Sequence, residues 1–308
     1  MTYKQTQVAR VRDLIQVGKV FNGDAGGGIF NGKTYPFVLQ DAGNNLFAPV
    51  RQAVCDYMRK NDIAWWNGAL TNHVLSSQVA CLNHLFPLRE DRQAVLALVR
   101  QVCPAITDVL RIESDRYLPA YIQFEATSDA DHLNEIVTTR GQHCTSLDAL
   151  ILGVHRDGRR ILFPIEWKYV EAYGNDNKAA GAAGATRRAR YTALIDGSAQ
   201  LDRTCQETYY FEPFYQLMRQ TLWAEQLVAH RSEETVQADD FIHIHVVPAG
   251  NRELLHKRYP GGKGMEATWR DCLRDQGQYV IVTPGALRAP LAGGPHDALC
   301  DYLNMRYG

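Results

Sequence analysis

Val8, Val11 and Ile15 recur at helical spacing and predict a short amphipathic helix within residues 1–20. Residues 21–45, rich in Gly and Asn, read as loop. Residues 46–105 read as helical, with Pro87 ending one helix and Arg89 to Val102 supplying the next. A strand is expected from Ala120 to Glu125. Ser128 and Asp131 have capping-box spacing, which predicts a helix through Val137 with Leu133, Ile136 and Val137 buried and Glu135 on the other side. Two strongly apolar runs then flank Arg156-Asp157-Gly158 and predict a hairpin over 148–168. The Gly/Ala-rich stretch Tyr173 to Arg190 reads as a mobile basic loop. Pro213 opens a long helix whose apolar side is Phe214, Leu217, Met218 and Val228. Phe241 to Val247 and Tyr279 to Val282 read as strands, with His243 and His245 on a half-exposed face of the first. A last helix covers Asp297 to Tyr307. This order predicts an α/β core over 116–308, preceded by a helical region over 1–115 that packs on it.

The hairpin carries the chemistry. Asp148 begins its first strand, and Glu166 and Lys168 end its second. Residues i and i+2 of a strand share a face, so Glu166 and Lys168 point the same way. A two-residue Asp-Gly turn would put Asp148 opposite Trp167, with the carboxylates on opposite faces. A three-residue loop with Gly158 left-handed pairs His155 with Arg159 and so Asp148 with Glu166. Both loops are chemically sound; the second is the expectation, because it unites charges that the first would strand. Two acids and an ammonium at the end of a buried hairpin are costly unless they bind something. A divalent metal beside a phosphodiester uses all three. Asp148 and Glu166 suit Mg²⁺ or Mn²⁺, the Trp167 backbone carbonyl is a further hard ligand, and Lys168 can orient water or meet developing charge.

Asp148, seventeen intervening residues and Glu166-x-Lys168 on paired strands resemble the PD-(D/E)xK, or restriction-endonuclease-like, nuclease superfamily. Leu147 stands where that motif often has proline. Ser76-Ser-Gln-x-x-Cys-Leu-Asn-His-Leu-Phe-Pro87, Arg140-Gly141, Thr145-Ser-Leu-Asp148 and Ile165-Glu-Trp-Lys-Tyr169 look like a bacterial branch of restriction endonucleases. The resemblance implies a mixed β-sheet flanked by helices, Asp148 and Glu166 as metal ligands, and Lys168 as catalytic. It implies Mg²⁺-dependent cleavage of DNA, in a setting of defence against foreign DNA. DNA rather than RNA rests on the resemblance alone. Some superfamily members place a metal-binding acid on the helix before the hairpin, which makes Glu135 a further candidate.

Lys178, Arg187, Arg188 and Arg190 follow the hairpin directly and are candidates for phosphate contact. Gln216, Arg219 and Gln220 share the polar side of the helix opened by Pro213, and with Gln78 they are candidates for lining a substrate groove. His73, Ser77, Cys81 and His84 fall on one helical face and read as packed side chains rather than ligands. One rival reading is a catalytically inactive nucleic-acid-binding protein. Another is a nucleotide-binding protein, because Gly27 to Thr34 satisfies the phosphate-loop pattern, although Pro36 follows too soon for the helix that pattern needs.

The chain has 308 residues and a net charge of −1, so any nucleic-acid contact must rest on locally concentrated positive charge. Seven scattered cysteines without C-x-x-C pairs point to a reducing compartment. No signal-peptide pattern or membrane-length apolar run is present, so the expectation is a cytoplasmic protein with no membrane partner. The sequence leaves room for a homo-oligomer or a partner subunit.

Overall fold

A computed structural model describes residues 1–65, 68–113, 119–136, 144–259 and 261–308. Trp66, Val137, Arg140, Gly141 and the 115/116 boundary lie outside the described residues. The helices are α1 (Tyr3–Val17), α2 (Arg51–Lys60), α3 (Ser77–Leu85), α4 (Arg92–Val102), α5 (Gly181–Gly197), α6 (Phe214–Ala229), α7 (Arg252–Leu255), α8 (Met265–Asp271), α9 (Pro284–Arg288) and α10 (Asp297–Tyr307). The strands are β1 (Gly28–Phe30), β2 (Lys33–Tyr35), β3 (Ile106–Leu110), β4 (Gln123–Ala126), β5 (Leu147–His155), β6 (Arg160–Trp167), β7 (Asp240–Phe241), β8 (His243–Val246) and β9 (Tyr279–Val282).

Strands β3 to β9 form one mixed sheet in the order β3-β5-β6-β8-β9, with β4 also on β5 and β7 also on β6. The β5–β6 hairpin is antiparallel, whereas β6, β8 and β9 run parallel. Helices cover both faces. Ala149, Ile151, Phe163, Ile165 and Trp167 pack against α1 to α4, α9 and α10. Leu150, Leu152 and Leu162 pack against α5, α6 and α8. The hairpin strands therefore bury both faces, which is why they read as continuous apolar runs rather than alternating ones. Gly153 is required at their crossing, since a Cβ there would lie 2.9 Å from the Phe163 ring. The architecture is the α/β, restriction-endonuclease-like core expected from the sequence. Among the described residues no helix is long and apolar enough to cross a membrane, and all seven cysteines are free thiols.

Several local expectations are corrected. Residues 21–45 contain the β1–β2 hairpin, turned by left-handed Asn31 and Gly32. Gly27 to Thr34 is thus a hairpin with no helix behind it, and it cannot cradle phosphate as a phosphate loop does. Within 46–105 the described residues of 61–76 are not helical: left-handed Asp62 ends the helical path, and Val38 bridges His73. Ser128 to Ile136 forms turns instead of a helix. Asp131 accepts from the amides of Glu135 (2.7 Å) and Ile136 (2.6 Å), and Asn134 and Ile136 are left-handed. Glu234 captures the Asp129 amide (2.9 Å) and the His132 ring (2.8 Å), stapling this segment to the chain beyond α6. Ile136 is exposed and Glu135 buried, the reverse of the helical expectation. The expected basic loop is largely α5, because its alanines are strong helix formers. His243 and His245 are fully buried rather than half-exposed.

Candidate active site

Strand pairing brings the acids together. His155 donates its amide to Arg159 (2.9 Å), Gly158 is left-handed, and Ala149 lies opposite Ile165. That register sets Asp148 level with Glu166, as the three-residue loop requires. The Trp167 amide donates to Asp148 Oδ2 at 2.7 Å, tying the start of β5 to the end of β6. Glu166 and Lys168 share a face, and their charged atoms are 2.5 Å apart.

Helix α6 closes over this pair. Lys168 Nζ donates to Gln216 Oε1 at 2.6 Å, and Gln220 Nε2 donates to Glu166 Oε2. Lys168 Nζ also lies 5.6 Å from the centre of the Tyr173 ring. From the other side, Gln78 on α3 donates to Glu125 Oε1 at 2.7 Å, and the Ser146 hydroxyl reaches Glu125 Oε2 at 3.4 Å. Glu125, within β4, is left-handed, φ 50°, an arrangement that strains a residue with a side chain.

The electrostatics show how crowded the site is. Part of Asp148 reaches solvent, yet burial within dense protein is the largest influence raising its pKa well above the usual carboxylate range. The charges of Glu166 and Glu125 add to it, against the Lys168 ammonium and the Trp167 amide. Burial opposes the charge on Lys168, but Glu166 first, then Tyr173, Glu171 and Asp148, outweigh it and hold its pKa high. Burial also raises Glu212, which stands near Lys168 and Lys178 with Oε2 unpartnered. The Cys81 thiol is pushed well up, first by burial and then by Asp148, Glu125 and Glu166.

The other candidates divide. Gln78, Gln216 and Gln220 touch the acids or the lysine directly. Lys178 approaches through Glu212. Arg187 donates to the Lys178 carbonyl at 2.8 Å and lies over Tyr215. Arg188 is ion-paired with Glu207 at 3.1 Å, and Arg190 lies over Tyr191. Glu135 is engaged by the Thr145 amide (2.5 Å) and hydroxyl (2.7 Å), Tyr191 (2.5 Å) and Arg219 (3.1 Å). His84 stacks on Trp167 from the opposite face of the sheet. Glu125 and Glu212 are not among the candidates the sequence offers, because neither tertiary packing nor a left-handed backbone can be read from one isolated acid.

A metal suits this donor set. Three carboxylates converge with one ammonium among them, and the Oε1 atoms of Gln78 and Gln220, buried beside them, have no hydrogen-bond partner. Hard oxygen donors of this kind serve Mg²⁺ and Mn²⁺.

The family described as Restriction Endonuclease associating with ARP matches residues 20–308. The chain belongs to that family, and the match spans the hairpin, the carboxylate cluster and all the helices except α1. No curated protein matches the chain, and no solved structure does.

Proposed function

From membership in a restriction-endonuclease family and this geometry, we propose that the protein hydrolyses DNA phosphodiester bonds with Mg²⁺ or Mn²⁺. The observation that carries the reading is the hairpin register, which sets Asp148 level with Glu166 and leaves Lys168 against them. Asp148, Glu166 and the Trp167 carbonyl are the proposed ligands, with Glu125 a further acid at hand. When bound, the ion supplies polarisation of the phosphoryl oxygen and acidification of water. Lys168 holds the attacking water through its ammonium and meets charge developing on the phosphate. Gln216 aims Lys168, and Gln220 fixes the Glu166 carboxylate. Lys178, Arg187 and Arg190 supply positive charge for the DNA backbone, with Gln78, Gln216 and Arg219 lining the groove. The substrate is foreign DNA in a defence setting.

The test is plasmid cleavage with Mg²⁺ or Mn²⁺, comparing the unaltered protein with Glu166→Ala and Lys168→Ala. Both variants should lose cutting by about 10² or more, the scale of removing one group that acts in the transition state. Cutting that survives both changes removes the assigned site. DNA binding without cutting in the unaltered protein would instead support a purely binding role.

A further inference from the structure

On the far face of the sheet from Glu166 and Lys168 lies a cavity of about 290 Å³. It opens where the parallel strands β6, β8 and β9 end, and its walls come from the residues just beyond each: Tyr169, Pro248 to Gly250, and Thr283 to Gly285 with Arg288. In open α/β sheets, ligands bind in the crevice beyond the carboxyl ends of such strands. The volume is near the lower limit of small-molecule sites, ~300 Å³, which suits one compact ligand rather than a polymer strand.

The lining specifies chemistry. Trp167, Tyr169, His84 and Tyr307 supply aromatic surface. The His84 Nδ1 lies 2.7 Å from the Ala80 carbonyl, which can only accept, so Nδ1 carries the proton. With that proton on Nδ1, Nε2 is the acceptor of the ring, and it is buried without a partner. Arg288 supplies the opposite need: Nη2 donates to Asn304 at 2.5 Å, while Nε has no acceptor. Among the described lining residues no side chain is a carboxylate. An occupant thus needs a flat ring, a donor for His84 and an anionic or acceptor group for Arg288.

We propose that this cavity binds a nucleoside monophosphate or a molecule of the same chemistry, a planar heteroaromatic ring with an N–H donor and a phosphate-like anion. The site is separate from the catalytic cluster but shares Trp167 with it. The indole lines the cavity, and the backbone N–H of the same residue holds Asp148. An occupant rests on the residue that fixes a proposed metal ligand.

The experiment is isothermal titration calorimetry with AMP and GMP, with adenosine and inorganic phosphate as separate arms. AMP or GMP should bind in the micromolar range. Adenosine and inorganic phosphate should each bind at least about tenfold more weakly, a difference of roughly 1.4 kcal/mol. Gly285 lines the cavity, so Gly285→Leu adds bulk at its wall, and because a Cβ there meets nothing within 4 Å the variant should fold. It should weaken nucleotide binding about tenfold or more, with circular dichroism confirming the fold. Arg288→Gln should weaken AMP but leave adenosine unchanged. Glu166→Ala should bind as the unaltered protein does, which separates this site from the proposed nuclease centre. The proposal is overturned if neither nucleotide binds at millimolar concentration. It is equally overturned if folded Gly285→Leu binds unchanged, if phosphate alone binds as well as AMP, or if Glu166→Ala abolishes binding.

Discussion

Glu135 is the sharpest test of how this site is supported. It is 3% exposed and joins the segment before β5 to α5 and α6. Its Oε1 accepts from the Thr145 hydroxyl, Tyr191 and Arg219, and its Oε2 accepts from the Thr145 amide. In Glu135→Gln the new amide oxygen can keep the first set, but the NH₂ then faces the Thr145 N–H. That backbone donor is orphaned in the interior, costing about 1–3 kcal/mol. Arg219 also loses a charged partner. Its side chain is 22% exposed, so the added loss is discounted to about 1 kcal/mol. The expected destabilisation is therefore roughly 2–4 kcal/mol. Glu135→Ala orphans every donor at once and should lie near the low end of the range for breaking a buried ion pair, about 3 kcal/mol. At about 1.5 °C per kcal/mol for a chain of 308 residues, the alanine variant should melt roughly 4–5 °C lower. Urea unfolding gives the stabilities, and Mn²⁺ titration of the same folded variants gives the metal affinity. A strut loses stability and keeps its metal. A variant within about 0.5 kcal/mol of the unaltered protein that has lost Mn²⁺ affinity would refute the reasoning and make Glu135 a ligand.

Asp148 has a raised pKa, so between its unfolded and folded values the folded state holds more protons and metal-free stability falls as pH rises. Asp148→Asn should therefore be more stable than the unaltered protein at neutral pH without metal, with the gain shrinking toward acid, read by thermal melting across pH. His84 and His243, both buried and held down to about 3 by burial, work the other way. Their contribution is complete above the unfolded value near 6.5 and drains as pH falls toward 3, by roughly 3 kcal/mol each at pH 4. His84→Gln and His243→Leu should flatten the acid limb of a denaturation series. Lys178→Ala should weaken DNA binding and reduce the salt slope by about 0.9. Arg188→Ala, already paired with Glu207, should leave both unchanged in a filter-binding salt titration.

The parts of this molecule legible in the sequence are those where one pattern has one outcome. The β5 and β6 runs read as buried strands from their length and continuous apolar content, whereas Gly158 suits a two-residue or a three-residue loop, so the expected register rests on which loop unites the charges. The misread parts are those where a distant partner overrides a local signal. Ser128 and Asp131 have the spacing of a helix start, but the Glu234 carboxylate, more than a hundred residues away, takes the local amides. The alanines of α5 were outweighed by the glycines among them, although Gly184 is there for close packing on Ala179: a Cβ would fall 2.0 Å from its carbonyl oxygen. Glu125 and Glu212 join the site only through tertiary contact, so no spacing rule could find them.

The charge arrangement explains why an assembly so unfavourable to the metal-free chain is consistent with the proposed chemistry. Asp148 feels the charges of Glu166 and Glu125 with one ammonium, Lys168, among them, and Glu166 takes a bond from both Lys168 and Gln220. At Asp148 one amide and the Lys168 ammonium are outweighed by burial and two like-charged neighbours. In the metal-free chain that excess raises the Asp148 pKa, and a divalent cation at the proposed site would relieve it by meeting the acids together. Proton and metal are then competing solutions to the same crowding. The Lys168–Glu166 contact is the element that must loosen for the second solution to replace the first, since both of its partners are assigned work on the substrate side. A site designed only for stability would replace the pair with apolar side chains of similar volume; retaining it in the middle of two well-packed cores is what a metal-dependent reaction at this hairpin requires.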